Sequence, residues 1–151
     1  MFEALKHLFA GPEADDEVRA QTENRRLQVA ACALLLEIAH ADDEFTEDER
    51  QHIENVVVRH FDLDPAEARG VMAVAEEARR ESVDLHQFTA LVSRHYDEGQ
   101  RLVLAELLWR VVYADGKLTD REAILARKLG YLLDLPPGYL ADARRKARGE
   151  I

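Results

Sequence analysis

The sequence predicts an all-α fold: a single-domain bundle of seven to eight helices with an internal pseudo-twofold helical-hairpin repeat. Three observations carry that expectation. Apolar residues recur every three to four positions through most of the 151 residues, and no segment alternates with period two. Gly (7) and Pro (4) are scarce, which leaves little material for hairpin turns. Apolar residues make up 47% and charged residues 33%, the balance of a globular chain rather than a disordered one.

Residues 2–9 form a short amphipathic segment with Phe2, Leu5, Leu8 and Phe9 on one side, broken by Gly11 and Pro12 and followed by an acidic linker. Residues 1–17 are thus set apart from a helical domain over 18–151. From about Val18 to Ala41, Leu27, Ala30, Ala31, Leu34, Leu35 and Ile38 mark a central helix. A helix over 47–61 turns Ile53, Val56, Val57 and Phe61 inward. Asp64-Pro65-Ala66-Glu67 combines an N-cap, a first-position proline and Glu at N3, so a helix starts there. Its alanine-rich face predicts close packing. Asp84 to Gln87 reads as a capping box before a helix carrying Phe88, Leu91, Val92 and His95. Asp97 with Gln100, and Thr119 with Glu122, read as two further helix starts. Pro136-Pro137 precedes a last helix that ends in Arg144, Arg145, Lys146 and Arg148, cations that suit the negative end of a helix dipole and are expected to be solvated.

Residues 34–49 (LLLEIAHADDEFTEDE) align without gaps on 107–122 (LLWRVVYADGKLTDRE). Leu34/Leu107, Leu35/Leu108, Ala41/Ala114, Asp42/Asp115, Thr46/Thr119 and Glu49/Glu122 are identical pairs. Phe61-Asp62-Leu63 echoes Leu133-Asp134-Leu135. The repeat copies therefore span about 27–63 and 100–135, each a helix, an acidic turn and a second helix. Two readings of the turn stand. In one, Thr46 with Glu49, and Thr119 with Glu122, are capping boxes that need no ligand, each helix start gaining about 0.5–2 kcal/mol. In the other, the hairpins meet about an axis and Asp42, Glu49, Asp115 and Glu122 converge. Four carboxylates without a counter-charge repel, and a divalent cation relieves that; oxygen ligands favour Ca²⁺, Mg²⁺ or Mn²⁺ over softer ions. The turn is not an EF-hand: counted from Asp42, position six is Glu47 and position twelve is Ile53.

The paired turns AHADDEFTEDE and VYADGKLTDRE, each after an apolar helix, resemble those of the tellurite-resistance protein TerB and its relatives; the resemblance covers residues 20–136. It implies a helical bacterial cytoplasmic domain of stress response, a divalent-metal site at Asp42, Glu49, Asp115 and Glu122 with Asp43 and Glu44 as further donors, and no enzymatic activity. Among cofactors it implies a divalent cation (Ca²⁺, Mg²⁺, Mn²⁺ or Zn²⁺) and nothing else. Here only the second turn has the family's Asp-Gly (Asp115-Gly116), so the first is expected to differ in shape.

The net charge of −10 repels phosphate backbones and anionic membranes, so neither nucleic acid nor a membrane is the expected partner; a protein partner is. The first segment's apolar face spans about two turns, too little for more than marginal membrane contact. No run approaches the roughly 20 apolar residues of a membrane span, the first residues lack the pattern of a secretory signal, and one cysteine, Cys32, fits a reducing compartment; the expected location is the cytoplasm. Glu37/His40 and Glu49/His52 have the Glu-x-x-His spacing of di-iron bundles, but the second repeat lacks both pairs, so ordinary helix-end histidines are expected. Cys32 is expected to be a buried small hydrophobe, and Trp109, Tyr113 and Phe88 to belong to the core.

Overall fold

A computed structural model describes residues 16–41, 45–114 and 120–149, with the side chains of Asp16 and Glu122 left out. The amphipathic segment 2–9 and its linker lie outside the described residues. Seven helices are described: α1 (Asp16–Ala39), α2 (Glu47–Phe61), α3 (Pro65–Glu81), α4 (His86–His95), α5 (Glu98–Tyr113), α6 (Asp120–Leu132) and α7 (Pro137–Ala147). Among the described residues there is no strand, and the all-α expectation holds.

Helix α1 is the hub. Residues 28–36 are buried in succession, with Ile38 and Ala39 beyond them, so the helix is enclosed on all sides along its second half. It touches α2, α3, α4, α5 and α6. The alanines predicted to favour close packing do so: Ala68, Val71, Met72 and Ala75 of α3 are buried, and α3 lies closely along α1. Ile53 and Val57 of α2, Phe88 and Val92 of α4, Leu104 and Leu108 of α5, and Leu129 of α6 complete the core. Ile124 of α6, in contrast, is 63% exposed.

Local chemistry sets most of the boundaries. Thr46 Oγ1 accepts from the Glu49 amide at 3.1 Å and Glu49 Oε1 accepts from the Thr46 amide at 3.4 Å, so the capping box of α2 is formed in both arms. Asp64 Oδ1 takes the Glu67 amide at 2.8 Å, with Pro65 opening α3. Asp97 and Gln100 form a second complete box at the start of α5. The box expected at Asp84–Gln87 does not form. Asp84 Oδ1 accepts from the His86 amide two residues on, Gln87 Nε2 donates to Ser82 Oγ, and Leu85 is the N-cap of α4 without a side-chain bond. Asp62 and Asp134 both hold left-handed backbone, φ 54° and 59°, just past α2 and α6. They are the aspartates of the echoed Phe61-Asp62-Leu63 and Leu133-Asp134-Leu135, one residue out of the gapless register, and short polar side chains tolerate that conformation best after glycine.

The helix directions turn the ends of α1 and α5 toward the same side of the bundle. His95 Nε2, closing α4, lies 2.9 Å from Glu23 Oε1 in the first half of α1, so α5, which starts three residues later, begins where α1 begins. Helices α1 and α5 are in contact. Arg110, near the end of α5, acts electrostatically on His52, near the start of α2. The ends of α1 and α5 therefore point the same way.

Candidate functional site at the hairpin mouths

Ala41, Phe45, Thr46 and Glu49 define the described rim of the first mouth, and Tyr113, Ala114 and Asp120 that of the second. Of the predicted ligands, Asp42 and Asp115 lie outside the described residues, as do Asp43 and Glu44; so does the side chain of Glu122. Glu49 is placed: it is half-buried, and its Oε1 serves the cap at Thr46, accepting also from the hydroxyl at 3.2 Å. Acidic residues Glu47, Asp48 and Glu49 crowd the first turn of α2, where the helix dipole favours them. Phe45 is half-buried against the core and stacks on His40, with ring centroids 4.2 Å apart.

Behind this rim is an ion-pair network that sequence reasoning missed. Arg79 of α3 donates Nη1 to Glu37 Oε2 at 2.9 Å and Nη2 to Glu76 Oε1 at 2.8 Å, tying the end of α1 to α3. Burial opposes ionisation of Glu76, yet Arg79, His40 and Arg80 outweigh it and hold its carboxyl below the ordinary range. His40 Nε2 lies 3.3 Å from Glu76 Oε1, without the alignment of a hydrogen bond. Burial, and then Arg79, push the His40 imidazole below its usual pKa. The pKa of the His52 imidazole is lowered by burial and by Arg110, and its Nε2 finds no hydrogen-bond partner among the described residues. The arginine is 42 residues from Glu37, so only the fold unites them.

The two Glu-x-x-His pairs do not assemble. Glu37 is held by Arg79, His40 faces Glu76, and Glu49 serves its cap. Among the described residues no three His, Cys, Asp or Glu side chains come together to hold a metal ion. Cys32 is fully buried and its thiol is pushed well above the ordinary range, chiefly by desolvation. Phe88 and Trp109 are core residues as expected, and Tyr113 packs against the core. The basic end of α7 is not simply solvated, as expected from sequence: Arg144 lies over the Trp109 ring, 4.7 Å from its centroid, and donates Nε to the Tyr113 hydroxyl at 2.8 Å.

The described residues form an all-helical bundle built around α1, with α5 in contact with it. The chain matches the family described as Tellurite resistance protein TerB over residues 28–145, and it belongs to that family. Neither the curated proteins nor the solved structures gave a match to it. Among the described residues no helix is long and apolar enough to cross a membrane.

Proposed function

We propose that this protein is a cytoplasmic stress-response domain of the tellurite-resistance type that takes up a divalent cation at its acidic hairpin mouths and performs no catalysis. The observation that supports this reading is that α5 begins beside the first half of α1 and lies in contact with it, so that both helices end toward the same side of the bundle. Asp42, Glu49, Asp115 and Glu122 would supply the ligands. The donor set is all oxygen, which suits Ca²⁺, Mg²⁺ or Mn²⁺ and is a poorer match to Zn²⁺. A bound cation would fix the two hairpins to each other and stabilise the fold by about 2.7 kcal/mol at a hundredfold excess over Kd.

A second reading has its own support. The complete capping box at Thr46 shows that Glu49 has structural work without any metal, and in that reading the domain is a protein-interaction module.

Calorimetry and thermal melts of the chain with Ca²⁺, Mg²⁺, Mn²⁺ and Zn²⁺ separate the two. The cation reading expects saturable binding and a raised Tm, both lost when Asp42→Ala is combined with Asp115→Ala. It fails if millimolar metal gives neither heat nor a Tm shift, or if the double substitution leaves binding unchanged.

A further inference from the structure

In a chain of net charge −10, one concavity has four arginines and no acid among its described lining residues. A cleft of about 360 Å³ runs along α7 beside α6, with Trp109 of α5 behind it. Its cations are Arg127, Arg144, Arg145 and Arg148. Between them the lining is apolar and aromatic, with Trp109, Leu140 and a Tyr131 that is 58% exposed.

The arginines are held differently. Arg144 is fixed twice, by its stacking over Trp109 and by the Nε bond to Tyr113, while its two terminal amino groups engage no described residue. A guanidinium held in place offers a planar fork without losing much side-chain freedom when an anion arrives. Arg127, on the α6 wall, forms no ion pair with any described residue. Arg145 shares its charge with Asp142. Gly130 permits the close approach of the two walls: a Cβ there would come within 2.8 Å of Leu140 Cδ2.

We propose that this cleft binds a small organic phosphate with an aromatic body. The forked cations match phosphate oxygens bidentately, and the exposed tyrosine and apolar floor offer a face for a planar ring. The volume falls at the small end of the range for small-molecule sites, roughly 300–1,000 Å³. A stable protein interface needs on the order of 1,200 Å² of buried surface, so an acidic partner would have to spread well beyond the cleft. The proposal does not depend on the cation reading.

The chain's single tryptophan lies in the cleft and reports on it directly. In metal-free buffer, the chain is titrated with adenosine monophosphate, adenosine, inorganic phosphate and a hexaglutamate peptide, followed by calorimetry and by absorption-corrected Trp109 emission. The monophosphate should bind saturably, and adenosine and inorganic phosphate at least tenfold more weakly. Arg127→Glu, at an exposed position whose substitution should leave the melting curve unchanged, should weaken the monophosphate at least tenfold. Arg144→Lys, which keeps the charge but loses the fork, should weaken it severalfold. The proposal is overturned if millimolar monophosphate gives neither heat nor an emission change. It is equally overturned if Arg127→Glu binds as tightly as the parent, or if hexaglutamate outcompetes the nucleotide.

Discussion

Single side chains in this protein do two kinds of work: they hold helices together across long sequence distances, and they store a pH dependence. Arg79 is the clearest case of the first, joining Glu37 and Glu76 from the middle of two neutralising contacts. The second rests on three histidines. His40, His52 and His60 all have pKa values depressed below the usual 6.5, in each case first by burial, with Arg79 adding to the effect at His40 and Arg110 at His52. Glu76 and Glu37 oppose the shift at His40 without reversing it. A lowered folded-state pKa means that the unfolded chain takes up protons first as the pH falls. The stability from these neutral imidazoles is therefore complete above about pH 6.5 and is lost as the pH drops through the folded values. Tm should fall between pH 7.5 and 5.5, and the fall should be smaller in His52→Gln/His60→Gln. A Tm independent of pH across that window, or one that rises towards acid, would contradict the assignment.

At the scale of the helix, starts are decided within four residues. Removing the Thr46 or Asp97 side chain by alanine should each cost about 0.5–2 kcal/mol in urea denaturation, because each leaves the N3 amide, of Glu49 or Gln100, without its side-chain acceptor. The same substitution at Asp84 should cost less than at Asp97, since Asp84 closes only a local turn to His86. These starts also mark what was legible in the sequence. Thr46-x-x-Glu49, Asp64-Pro65 and Asp97-x-x-Gln100 announce their helices because donor and acceptor lie on the same turn. Asp84-x-x-Gln87 carries the same letters and fails, because Leu85 adopts helical backbone and Ser82 captures the glutamine. The apolar spacing of α1 revealed its central position, since a helix apolar on every side has nowhere else to go. Arg79 reaching Glu37, and Arg144 settling on Trp109, left no local trace: a charged residue reads as solvated until the fold brings it a partner. The acidic turns were visible as a repeated pattern, but a pattern of carboxylates specifies caps and cation ligands equally well. Only binding separates them.

For the molecule as a whole, the governing feature is the enclosure of α1 by five other helices. Helix α1 is synthesised before all five of these neighbours, and the last of them, α6, ends some ninety residues later. At roughly 5–20 residues per second, its apolar surface stays incompletely covered for about 5–20 seconds of synthesis. A nascent chain arrested before α6 should therefore bind hydrophobic-surface dyes and engage chaperones, and release from both should come only once residue 132 has cleared the exit tunnel.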